Sequence, residues 1–155
     1  MPNPKLIQHL RWRLKRIVVW RLALVGYIAC ILVVAFWPTP VDKPIHGTLT
    51  AILDYLHHRG IPTWLSYTFV EASANVVLFV PLGLIFAVTF RSQAWWKLAC
   101  LASLASITLE LGQLLFLAAR FASILDVVTN TSGAVIGIAA ARTASKRRTS
   151  PTKDR

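Results

Sequence analysis

The stretch "LELGQLLFLAARFASILDVVTNTSG", Leu109 to Gly133, decides the fold. It is mostly apolar, yet it holds Glu110, Gln113, Arg120, Asp126 and Asn130 within 21 positions. What these groups do depends on the solvent around them. The rest of the chain answers that. Of 155 residues, 55% are hydrophobic and only 15% are charged, against about 25% charged in soluble domains. The mean hydropathy is +0.57. A chain of this length is one domain, and a soluble core of that size does not require so much apolar sequence. Membrane crossings do.

Working outward from the stretch, four apolar runs are long enough to cross a bilayer, about 20 residues each. They cover residues 17–37, 72–90, 95–119 and 123–141. The expected fold is therefore all-α: a bundle of four transmembrane helices. In the first run Arg21 is the one charge, and it lies close enough to the end to snorkel. Pro38 and Pro40 stop that helix. Pro81 in the second should free the carbonyl of Val77 and kink the helix. Between the first two runs, Leu49, Ile52, Leu53 and Leu56 recur at helical spacing. They predict a short amphipathic helix on the membrane surface, ended by Gly60 and Pro62.

Charge gives the orientation. Residues 1–16 form a basic arm, and residues 142–155 a basic tail rich in Ser and Thr that reads as disordered. The arm with Arg21, the turn at Arg91–Lys97 and the tail carry fourteen of the seventeen Lys and Arg residues. Lys43, Arg59 and Arg120 carry the other three. Four crossings put the fourteen on one side, so both termini are expected in the cytoplasm. The net charge of +11 is then a topology signal. No nucleic-acid partner is expected, because the aromatic residues flank apolar runs rather than interleaving the basic ones.

Cys30 and Cys100 lie in apolar runs and read as small buried hydrophobes, not as a disulfide or metal pair. The run containing Cys30 continues to Trp37, which excludes a lipoprotein cleavage site, and it is too long for a signal peptide. Adjacent helical residues such as His57 and His58 point about 100° apart and make a poor metal site. No metal or cofactor is expected.

Depth now places the polar groups. Asn75, Gln113 and Asp126 each lie sixteen residues from a cytoplasmic cation, Arg91, Lys97 and Arg142 respectively. At 1.5 Å per residue this is about 24 Å above the cytoplasmic edge. Glu110 and Asn130 come out at roughly 18–20 Å. Residues of three helices thus fall in one layer of the outer half of a bilayer core about 30 Å thick. Glu110 and Gln113 share a face, as do Asp126 and Asn130. Ionisable groups at this depth should point inward and pair, and Arg120 can reach toward Asp126 or Glu110. Bonding helices together is one use for such groups; a ligand pocket is the other. "GAVIG", Gly133 to Gly137, fits a close helix contact within the chain or between copies, so a second copy is a candidate partner.

"NVVLFVPLG" (Asn75 to Gly83), "LELGQ" (Leu109 to Gln113), Arg120 and "DVVTNTSGAVIG" (Asp126 to Gly137), preceded by "DKPIH" (Asp42 to His46), together resemble the VanZ-like family of bacterial membrane proteins. The resemblance covers residues 42–140, within a domain expected at 17–141. It implies a multi-pass plasma-membrane protein of the cell envelope. It marks Asn75, Glu110, Gln113, Arg120, Asp126 and Asn130 as the signature polar positions, beside Pro81, Gly83, Gly133 and Gly137 as helix-packing positions. The family's founding member is associated with resistance to teicoplanin, a lipoglycopeptide antibiotic.

Three functions fit. One is a non-catalytic protein whose outward pocket binds a lipid-linked cell-wall precursor or a lipoglycopeptide, with Arg120 on an anionic headgroup. Another is an intramembrane enzyme using Glu110 or Asp126 as acid or base, although no nucleophile motif, metal cluster or phosphate loop is present. The third is a small oligomeric transporter.

Overall fold

A computed structural model of the protein describes residues 4–37, 43–117 and 123–149. These residues form five α-helices and no strand: α1 (Pro4–Ala35), α2 (Lys43–His58), α3 (Tyr67–Thr89), α4 (Trp95–Phe116) and α5 (Ile124–Thr149). α1, α3, α4 and α5 each carry a window long and apolar enough to cross a membrane. Only 11–28% of each window is buried within the chain. Leu115, Phe116 and Ile124 are more than three-quarters exposed or nearly so, at 75%, 77% and 84%. That much outward apolar surface is excluded in water and is the norm for helices solvated by lipid. The protein is an all-α, multi-pass membrane protein.

Helix ends follow local chemistry. Ser66 caps α3, its side chain accepting from the Phe69 N–H at 3.3 Å, so α3 begins at Tyr67 rather than at residue 72. α2 ends at His58, and Gly60 follows with a φ of 91°, a conformation open to glycine. The Ile61 N–H then reaches back to the Leu56 carbonyl at 3.1 Å, closing a Schellman turn. Pro81 lies inside α3 without ending it. The tail expected to be disordered from Arg142 is instead helical through Thr149. No Pro or Gly intervenes there, and Pro151 is the first breaker. α1 likewise runs from the basic arm into the span without a break.

α3 and α5 are the most intimate pair, with α4 on α5 and α1 on α3. The reason is glycine. A Cβ on Gly83 would overlap the Ala134 backbone, and one on Gly133 or Gly137 would overlap the carbonyls of Val76 and Val80. The Gly133–Gly137 repeat is therefore used inside the chain, against α3. Around this contact Leu24 and Ile31 of α1, Phe79 and Phe86 of α3, Ala102 of α4 and Ala134 of α5 form the core.

One expectation needs correction. Cys30 and Cys100 are exposed and unpaired, not buried. In a membrane an apolar residue has no need to face the core, so hydropathy does not report facing. The expected amphipathic helix between the first two crossings is α2, in which Leu53 is buried and Ile52 is 50% exposed. His57 and His58 donate to the carbonyls of Leu65 (3.1 Å) and Asp54 (2.7 Å). Among the described residues no group of three or more His, Cys, Asp or Glu side chains is placed to hold a metal.

Candidate functional site

The start of α5 organises the site. Ser123 precedes the helix, and its hydroxyl accepts from the Asp126 N–H at 3.3 Å. In the common capping box the acid three residues on would reach back to the cap residue's own N–H. Here Glu110 of α4 takes that N–H instead, at 2.8 Å. Asp126 is thereby left to accept from the Asn75 amide of α3 at 2.9 Å. Two carboxylates thus converge on a helix N-terminus, where the macrodipole favours negative charge, and they tie α3, α4 and α5 together.

The neighbouring polar positions act similarly. Asn130 donates to Ser106 Oγ at 3.0 Å across α4 and α5. Ser103 and Thr131 pair at 3.0 Å nearby, closer to the Arg142 end of α5. Gln113 donates to the Ala35 carbonyl at 2.8 Å, meeting one of the acceptors that the end of α1 leaves open. Glu110, Gln113, Asn130 and Ser106 are all buried, at 6%, 9%, 5% and 0% exposure. Burial of this kind is tolerated only with hydrogen-bond partners.

Asn75, Glu110, Gln113, Asp126 and Asn130 all line one cavity of about 490 Å³. Arg120 lies outside the described residues, as does the Asp42 that opens the "DKPIH" motif. Apolar side chains, including Ile31, Val34, Ile45 and Val70, line it as well. Glu71 and Tyr67 also line the cavity, and sequence reading missed them. Glu71 lies four residues before Asn75, so the helical period carried the signal. Ser106 lies four before Glu110 in the same way.

Each described polar position makes an interhelical or capping bond, so gluing accounts for one bond apiece. It does not account for the cavity. Nor does it account for Asn130 Oδ1, which is buried and has no hydrogen-bond partner among the described residues, a rare state for a buried acceptor.

The family model described as VanZ/LLP1 matches residues 24–145. The chain belongs to the VanZ/LLP1 family. Within that match fall all five described polar positions and the three interhelical glycines. A relative, "Protein VanZ" of Enterococcus faecium, is 29% identical over 116 residues, covering 73% of this chain and 70% of the relative. No solved structure matches. The protein is thus a VanZ-like membrane protein, and Asn75, Glu110, Gln113, Asp126 and Asn130 line one of its cavities.

Proposed function

We propose that the protein is a non-catalytic component of the bacterial plasma membrane that binds a lipid-linked or amphiphilic molecule in the cavity lined by residues of all five helices. The end of the bundle holding Glu110, Asp126 and Gln113 faces outward, and both termini face the cytoplasm, following the distribution of Lys and Arg. The observation that carries the reading is the cavity itself: about 490 Å³, within the range of small-molecule sites, lined by both polar and apolar side chains. Arg120 follows α4 in sequence and supplies a cation for an anionic headgroup. Occupying this site lowers the amount of lipoglycopeptide that reaches its target, which accords with the name of the relative and with antibiotic resistance as its physiological outcome.

Deleting the gene and measuring minimum inhibitory concentrations of teicoplanin and vancomycin tests the proposal. The expected result is a lower value for teicoplanin after deletion, restored by the wild-type gene and not by Asn130→Leu. Unchanged values for both drugs would remove the resistance arm of the proposal.

A further inference from the structure

We infer that the end of the bundle nearest the N-terminal arm carries a second site, for the phosphodiester headgroup of an anionic phospholipid, held between the guanidinium groups of Arg16 and Arg91. It lies at the other end of α1 from the cavity described above and does not depend on what that cavity binds. α1 and α3 run antiparallel. Tyr27 bonds the Leu78 carbonyl at 2.7 Å, and nearer the arm the Thr89 hydroxyl reaches the Trp20 carbonyl at 3.5 Å. α3 stops at Thr89, while α1 extends back beyond that point to Pro4. Beside the overhang lies a cavity of about 350 Å³. Trp12, Arg16 and Trp20 line it from α1 at a spacing of four, which puts them on one helix face. Thr89 and Arg91 line it from the end of α3 and the turn that follows.

Charge selects the occupant. Both arginines are exposed, so an outside group can reach them. Among the described residues the lining holds two guanidinium groups and no carboxylate. The sequence has no Asp or Glu in residues 1–41 or 72–109, so neither flanking segment supplies a counter-charge. Two like charges facing one void repel, and an anion between them removes that cost. The planar fork of a guanidinium matches phosphate oxygens in pairs. Arg16 also lies over the Trp12 ring, 4.7 Å from its centroid, a contact that steadies the cation. Depth points to a lipid as the source of the phosphate. The apolar window of α1 begins at Leu14 and that of α3 ends at Thr89, so both arginines stand where the apolar segments end, at headgroup level, where Trp is also at home. Ile17, Val88 and the two indoles complete the lining. They suit the glycerol ester and first methylenes of a lipid, not a freely dissolved ion. A choline or ethanolamine head would bring its own cation against the two arginines; a glycerol head does not.

The test uses the full chain in detergent with an equimolar mixture of dioleoyl phosphatidylglycerol and dioleoyl phosphatidylcholine, and native mass spectrometry reads the lipid retained. The expected result is phosphatidylglycerol kept several-fold over phosphatidylcholine. Arg16→Gln with Arg91→Gln should bring the two lipids level. Arg11→Gln with Lys97→Gln removes the same charge from the same end of the bundle but outside the cavity, and should leave the preference intact. If both pairs lose it equally, the attraction belongs to the basic surface as a whole and the site does not exist. Equal retention of the two lipids by the unaltered protein would overturn the inference as well. Arg16→Lys with Arg91→Lys keeps both charges, so it holds the fold should the Gln pair not, yet it lacks the planar fork. It should retain phosphatidylglycerol several-fold less than the unaltered protein, and undiminished retention would overturn the role of the guanidinium groups. Inorganic phosphate is the last arm. It should not displace the lipid, and displacement would overturn the assignment to a lipid in favour of a dissolved anion.

Discussion

At the residue scale, Glu110 replaces a local cap with a tertiary one. Its bond to the Ser123 N–H fixes where α5 starts, and that start aims Asp126 at Asn75. Hydrogen bonds to ionised groups contribute about 1.5–3 kcal/mol, so Glu110→Ala should destabilise the protein by that order, read from thermal unfolding in detergent. Ser103→Ala breaks a neutral pair of side chains between α4 and α5 and should cost only about 0.6 kcal/mol in the same assay. If the two variants unfold alike, Glu110 is not organising the helix start. Much of this was legible in the sequence. Glu110 and Gln113, or Asp126 and Asn130, share a face by spacing alone, and helix rise alone put them in one layer. Partner choice was not legible. "SILD" at Ser123–Asp126 reads as a self-contained cap, and only the position of α4 shows that Glu110 takes one of its bonds. Glu71 was passed over because it stands at the end of a polar segment, where a charge calls for no explanation. The two cysteines misled because hydropathy separates lipid from water but not lipid from protein.

At the element scale, the α3–α5 contact is built on absent side chains. A Cβ at Gly137 meets the α3 backbone at both Val80 and Leu84, the Leu84 nitrogen at 2.7 Å, and helix backbone cannot yield as a flexible side chain can. Gly137→Val should force the helices apart at a cost of about 1–3 kcal/mol or more, seen as reduced monodisperse protein in fluorescence-detected size exclusion. Gly26 is the matched control, since nothing lies within 4 Å of its added Cβ. Gly26→Ala should leave the protein intact and, by lowering the entropy of the unfolded helix, stabilise it by roughly 0.5–1 kcal/mol. Element type and number followed from run length and composition. Element ends did not, because they depend on single groups: the Ser66 hydroxyl extends α3 backward, and the lack of any breaker before Pro151 extends α5 forward. Whether Gly133–Gly137 served the chain or a second copy was open from the sequence, because the motif specifies close approach and not the partner.

At the scale of the whole molecule, the four crossings predict a sidedness that can be measured. In a chain with Cys30→Ser and Cys100→Ser, a membrane-impermeant maleimide should label Thr63→Cys in intact cells, and Ser92→Cys only after permeabilisation. The reverse pattern would turn the proposed site toward the cytoplasm. Interhelical bonds also impose an order in time. Tyr27 of α1 finds its acceptor, the Leu78 carbonyl at 2.7 Å, 51 residues later in α3, whereas among the described residues the side chain that meets the Ala35 carbonyl is Gln113, 78 residues later in α4. During synthesis, then, the first crossing can settle against its early neighbour while its far end still lacks its stopper. A nascent chain arrested after α3 would hold a bundle latched at the middle and ajar at one rim, and the arrival of α4 is the event that shuts it.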